Sequence, residues 1–107
     1  MGISIDDFKK LELRIAEIES VEPHPNADRL YVLKIKVGEQ RKTIVAGIRL
    51  FYGEEELKGK KIVVINNLEP VTLRGVQSEG MLLAASNDET LTVIVPERPI
   101  ADGSQVR

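Results

Sequence analysis

His24 is the only histidine in the chain and stands between Pro23 and Pro25. An imidazole can carry a proton in catalysis or ligate a metal, and either use needs partners. A metal site needs several nitrogen or sulfur ligands, yet there is no cysteine and no second histidine. A general base needs a nucleophile and an orienting acid, and no sequence pattern supplies them. His24 is therefore read as a loop-packing or surface residue. Gly53 to Lys60 has the outline of a phosphate loop, but three of the five residues between Gly53 and Gly59 are Glu. Carboxylates there would repel a phosphate, and no Ser or Thr follows the lysine to hold magnesium. No catalytic residue, cofactor or metal ligand is assigned.

The remaining chemistry is cationic. The net charge is −2 over 107 residues, but its distribution is uneven. Met1 to Asp28 has three bases and seven acids, and Ile62 to Arg107 three and six. Between them, Arg29 to Lys61 has nine bases and four acids, a local balance of +5. A ligand responds to local field rather than to net charge, so this stretch can serve a polyanion. Arg29, Lys34, Lys36, Arg41 and Lys42 are the first candidates, with Lys60, Lys61 and Arg74 next.

Several short elements would have to position these side chains. Ser4-Ile5-Asp6-Asp7 fits a helix-capping pattern and predicts a short N-terminal helix through Phe8 and Lys10. Leu11, Leu13 and Ile15 alternate as in a strand, then the phase slips to Ile18 and Val21, which predicts a bulge or sharp bend. Pro23 and Pro25 end that ladder. Tyr31, Leu33, Ile35 and Val37 form a core-facing row, with Val32, Lys34 and Lys36 on the wet face. Gly38-Glu39-Gln40 reads as a hairpin connection into a third strand, Arg41 to about Ile48. Glu54 to Lys58 suits a short helix with acids in its first turn and Gly59 as its stop. Lys61 to Leu68, Met81 to Ala85 and Leu91 to Val95 read as further strands. Three strands, a helix and then more strands predict an all-β fold: a five-stranded OB-type barrel with a short helix between strands 3 and 4, and extra C-terminal structure.

The chain length suits one domain, residues 1–107. The absence of cysteine excludes a disulfide framework and a thiolate site. No secretory signal and no apolar run of membrane-spanning length is present, so a cytoplasmic location is expected by elimination.

Two strings then stand out: Val21-Glu22-Pro23-His24-Pro25-Asn26-Ala27-Asp28-Arg29-Leu30 and Ser78-Glu79-Gly80-Met81-Leu82-Leu83-Ala84-Ala85. With Asp7-Phe8, Leu13-Arg14-Ile15, Ile44-Val45-Ala46-Gly47-Ile48, Leu57-Lys58-Gly59-Lys60, Asn67-Leu68 and Arg74-Gly75, they resemble, in order, the tRNA-binding domain at the C-terminus of many methionyl-tRNA synthetases. That domain also occurs as free-standing tRNA-binding proteins. The likeness spans about Asp7 to Arg107; a departure is Ala16, where relatives often carry Gly.

The resemblance implies an OB barrel, commonly a homodimer, that binds tRNA by shape and accompanies the catalytic part of a synthetase. It also implies Ser78 and Met81 as tRNA contacts. Ser offers a donor and an acceptor to a phosphate or ribose, Gly80 permits close backbone approach, and Met81 is an adaptable apolar surface. Only Phe8, Tyr31, Phe51 and Tyr52 are aromatic. Phe8 and Phe51 are read as core or interface residues, so stacking platforms are few. Many cations beside few platforms fit folded RNA held through phosphates and 2′-hydroxyls. The tail Val95-Pro96-Glu97-Arg98-Pro99-Ile100 has apolar positions that suit a two-fold dimer contact. A barrel of the same kind can also resemble export-related chaperones that hold unfolded polypeptide; Lys34 and Lys36 on the open face argue for RNA instead.

Overall fold

The computed structural model describes residues 1–107. In chain order the elements are α1 (Ile5–Phe8), β1 (Leu13–Pro23), β2 (Tyr31–Val37), β3 (Gln40–Ala46), α2 (Glu54–Leu57) and β4 (Lys61–Ile65). They continue as β5 (Val71–Leu73), β6 (Val76–Ser78), β7 (Met81–Leu82), β8 (Ala84–Ser86), β9 (Leu91–Val93) and β10 (Gln105–Val106). The molecule is thus all-β with two single-turn helices. Ser4 caps α1, its Oγ accepting from the Asp7 N–H at 3.1 Å. Glu56 folds back at the start of α2, where its Oε1 accepts the Gly53 N–H at 2.7 Å. Gly38, at φ +64, takes the first position of the two-residue turn between β2 and β3, where a side chain would be strained.

The main sheet runs β3-β2-β1-β4-β7, all antiparallel, with β10 also pairing β1. β1 serves two long neighbours besides β10: Leu13 to Glu17 face β4, and Glu17 to Pro23 face β2. The phase slip in its sequence is a bulge between Ile18 and Ser20. It turns the Ile18 backbone onto the segment after α2, where Ile18 N–H donates to Lys60 O at 2.9 Å and Ile18 O accepts from Gly59 N–H at 2.8 Å. A bulge sharpens local twist, and here it curls the sheet around its core. Ala16, two residues earlier, is fully buried.

β2 keeps the alternation its sequence predicts, with Tyr31, Leu33, Ile35 and Val37 buried. Ile18, Leu33, Ile35, Ile44, Leu57, Ile62 and Val64 are the largest fully buried side chains. Each removes apolar surface worth about 1.5–3 kcal/mol from water. Leu57 is the one buried residue of α2. The curl brings β3 back to the β6–β7 junction: Glu79 N–H donates to Thr43 O at 2.8 Å, and Thr43 N–H donates to Glu79 Oε1 at 2.9 Å. These bonds satisfy part of an otherwise free strand edge.

The strands differ from the sequence reading in several places. The run expected from Lys61 to Leu68 stops at Ile65, because Asn66 and Asn67 turn the chain. Asn67 then braces the turn with side-chain bonds to Glu12 N–H and Lys10 O. The strand expected over Met81 to Ala85 is two pieces, interrupted at Leu83. Between those regions lies the β5–β6 hairpin, which the sequence reading missed.

The C-terminal segment is strapped across β1 and the β2–β3 turn. Gly103 N–H donates to Ile15 O at 2.7 Å, and Ile15 N–H donates to Ser104 O at 2.9 Å. Asp102 Oδ2 accepts the Gly38 N–H at 2.8 Å and lies 3.3 Å from Lys36 Nζ. A Cβ on Gly103 would come within 2.9 Å of the Gly38 Cα, so the two glycines pass backbone to backbone. Partial burial alone would raise the Asp102 pKa. The Gly38 N–H and the Lys36 ammonium outweigh it and hold the carboxyl below its ordinary value of 3.8.

Candidate functional site

The first of the two strings singled out in the sequence meets, in space, the hairpin that leads into the second. The first forms the loop from His24 to Leu30 between β1 and β2; the second follows the β5–β6 hairpin. His24 joins the loop to the hairpin. Its ring is 3% exposed, and Nδ1 accepts the Asn26 N–H at 2.9 Å. That leaves Nε2 as the protonated nitrogen, donating to Leu73 O at 2.9 Å. Asn26 Nδ2 adds a bond to Arg74 O at 3.3 Å. Both ring nitrogens are thus spent on backbone groups of the loop and the hairpin.

The hairpin turn is Arg74-Gly75. Both residues have positive φ, +54 and +91, and Arg74 is the only non-glycine residue of the chain in that region. A two-residue turn of this hand matches the twist of its strands, yet an arginine there costs about 1 kcal/mol against glycine or asparagine. In return the guanidinium stands at the tip of the hairpin, exposed to solvent. Across a hollow of about 470 Å³ lies Arg29, with Asn26, Ala27, Asp28 and Leu30 completing the lining. Neither Arg29 nor Arg74 takes part in an ion pair. Arg49 enters from the other side, its Nη1 donating to Ala27 O at 3.4 Å.

An apolar cleft of about 320 Å³ lies between the hairpin, the end of β3 and β7. Val45, Val71, Leu73 and Met81 form much of its wall, and Glu69 is its only acidic residue. Met81 is 46% exposed and available to a ligand. Ser78 differs from its expected position. It is 2% exposed, and its Oγ accepts the Val45 N–H at 2.9 Å while donating to Gly80 O at 3.0 Å. With both capacities used internally, it braces the cleft floor. Gly80 is close to the Ile65 carbonyl, where a Cβ would lie 3.0 Å away.

The other predicted cations lie away from this mouth. Arg41, Lys36 and Lys61 stand in one outward row across β3, β2 and β4, with Glu17 of β1 between the last two. Two of these cations meet an acid, and the third bonds a neutral carbonyl. Arg41 pairs with Glu19 at 3.0 Å, Lys36 with Asp102, and Lys61 Nζ donates to Ile100 O. Lys34, exposed beside this row, donates to Thr43 Oγ1 at 2.9 Å. Lys42 lies in the inward row opposite Ile35, and its ammonium reaches Asn66 O at 2.7 Å. Lys60 lines a separate groove with Lys61 and the tail residues Val95 to Ile100. The structure therefore divides the expected basic surface into free arginines at the mouth and a wall where Lys36 and Arg41 are paired with acids while Lys34, Lys42 and Lys61 bond only neutral oxygens.

Arg49 and Asn26 were not candidates in the sequence reading, although Asn26 lies within the first string. Phe51, expected in the core or an interface, is 48% exposed, two residues beyond Arg49. Tyr31 is buried as expected and donates to Tyr52 O at 2.6 Å.

A curled, OB-like all-β domain with a loop-and-hairpin mouth belongs to the class of folds that hold extended ligands at that face. Residues 13–105 match the family described as "Putative tRNA binding domain", and the chain belongs to that family. It is 49% identical over 105 residues to the methionine–tRNA ligase of Nanoarchaeum equitans and 46% identical over 107 residues to that of Pyrococcus abyssi. These alignments cover 98% and 100% of the chain but 14% and 15% of the two ligases, so it spans about a seventh of their length. Among solved structures it is similar to a MetRS-related protein from Pyrococcus horikoshii, with a TM-score of 0.94 and 29% identity over 100% of this chain and 99% of that one. The chaperone CsaA from Bacillus anthracis gives a TM-score of 0.91 and 27% identity, with both chains covered in full.

Proposed function

We propose that this chain is a non-catalytic module that holds tRNA by its folded shape, as one domain closed into a five-stranded OB-type barrel with α2 between its third and fourth strands. The observation that carries this reading is the pair of unpaired, exposed arginines, Arg29 and Arg74, facing each other beside an apolar cleft. Guanidinium groups suit phosphate oxygens, and an apolar wall with Met81 suits a sugar or unstacked base. Arg49 supports the loop that carries Arg29, and Ser78 keeps the cleft floor in place. Lys36 and Arg41 contribute little field, since Asp102 and Glu19 offset them, whereas Lys34, Lys42, Lys60 and Lys61 keep their charge and add to it.

In this reading the chain accompanies a methionine–tRNA ligase, as an appended domain or a separate subunit, and charging itself is carried out elsewhere. A second copy would double the arginines offered to one RNA. Ile94, Val95 and Ile100, all exposed, are apolar side chains that such a contact would cover.

The test is a titration of intact tRNA, duplex RNA and single-stranded RNA at two salt concentrations. Intact tRNA should bind best, and its affinity should fall by about 0.7–0.9 log units per log unit of salt for each phosphate neutralised. Equal binding of all three RNAs, or no salt dependence, overturns the proposal. The apolar cleft and the likeness to a chaperone favour a second reading, capture of extended polypeptide. That reading requires an unfolded peptide to compete with tRNA in a salt-insensitive way. Light scattering at micromolar concentration tests the second copy.

A further inference from the structure

The β5–β6 hairpin is joined to the body of the protein by few groups. It forms a two-stranded sheet of its own, and all three residues of β5 are exposed. Its base is held by Ser78, through the Val45 N–H. At its tip only two side chains reach it from elsewhere by hydrogen bonds: His24 to Leu73 O and Asn26 to Arg74 O. Val71 and Leu73 of this hairpin also form one wall of the apolar cleft. Whatever holds the tip therefore sets the width of the cleft and the distance of Arg74 from Arg29.

We propose that His24 is the positioning residue of this site, a latch that fixes the hairpin over the cleft through the Nε2–H to Leu73 O bond. The inference rests on the RNA-binding reading only for its functional consequence; the latch itself is a statement about the hairpin. Three features distinguish it from ordinary core packing. The ring uses both nitrogens, so its orientation is determined from the loop side by Asn26 N–H and from the hairpin side by Leu73 O. Pro23 and Pro25 flank it and restrict the backbone from which it projects. The residue it positions, Arg74, adopts a conformation that an arginine would abandon if the turn were free to relax.

The geometry supplies a pair of variants that separate the two bonds. In His24→Asn the shorter amide can still accept from Asn26 N–H but cannot reach Leu73 O. In His24→Gln the terminal amide nitrogen lies close to the place of Nε2 and can donate to Leu73 O. Trypsin provides a readout that needs no RNA, because the Arg74–Gly75 bond becomes a substrate only when the hairpin opens. Loss of this half-buried bond is expected to speed cleavage there by about twofold to tenfold in His24→Asn. Cleavage after Arg41, inside the main sheet, should stay near the wild-type rate. His24→Gln should return cleavage at Arg74 towards wild type. For tRNA, His24→Asn should lower the salt slope by about 0.7–0.9, the share of one phosphate, with recovery in His24→Gln.

The latch is overturned if cleavage at Arg74 rises only in step with cleavage at Arg41, since that reports global loosening. It is equally overturned if the two variants behave alike. Failure of wild-type protein to bind tRNA would overturn the RNA-binding reading and leave the proteolysis result to decide the latch.

Discussion

Replacing Ser78 with Ala separates a brace from a ligand contact. The Ser78 hydroxyl serves two backbone groups, Val45 N–H and Gly80 O, at a site where it is 2% exposed. Ala leaves the buried Val45 N–H without its acceptor, and no strand pairs with β3 on that side beyond the Glu79 bonds. A buried backbone donor left unsatisfied costs about 1–3 kcal/mol. At about 2.1 cal/mol/K per residue, a chain of 107 residues has an unfolding entropy near 0.22 kcal/mol/K. A loss of about 2 kcal/mol then lowers the melting temperature by roughly 9 °C. The assay is thermal unfolding by circular dichroism beside a tRNA titration at several salt concentrations. The brace predicts a clear loss of stability with an unchanged salt slope, because no phosphate contact is removed. An unchanged melting temperature with a slope lower by about one phosphate would refute the reasoning and restore Ser78 as a direct contact.

Other perturbations test other parts of the structure. Arg29→Gln and Arg74→Gln should each lower the salt slope of tRNA binding by about 0.7–0.9 while leaving the melting temperature within about 2 °C, since neither arginine is paired. Leu57→Ala should cost about 2–5 kcal/mol in urea unfolding, because Leu57 is fully buried and is the only anchor of α2. The Asp102 carboxyl has a lowered pKa in the folded protein, so its ionised form favours folding. Its contribution should be present in full above the ordinary value of 3.8 and be lost as pH falls through the lower folded value. Asp102→Asn should therefore flatten the acid limb of a stability-against-pH curve, and an unaltered limb would rule out the strap as its source.

Much of the architecture was legible in the chain because it depends on local periodicity. The Tyr31, Leu33, Ile35, Val37 row needs only alternation to identify its buried face, and the slip from Ile15 to Ile18 needs only a change of phase to announce a bulge. Pro23 and the Gly38 turn declared their boundaries through backbone chemistry that acts within two or three residues. The β5–β6 hairpin was not legible. Val71-Thr72-Leu73 is short and exposed, and its turn uses Arg74 where asparagine or glycine would be the usual signal.

Residue types and their order determined that the bases concentrate between Arg29 and Lys61, nine against four acids, and that His24 has no cysteine and no second histidine beside it as a metal ligand. Charge counted along the sequence could not tell which cations were free. Glu19, Asp102 and the Ile100 carbonyl approach Arg41, Lys36 and Lys61 only after strands distant in sequence are paired. Likewise, Ser78 looks like an available hydroxyl until β3 comes round to donate to it, and His24 looks idle until Leu73 arrives 49 residues later. Hydrogen bonds and ion pairs act over a few ångströms in space, whatever the separation in sequence. Tertiary structure therefore decided which of these groups are spent within the protein and which still face solvent.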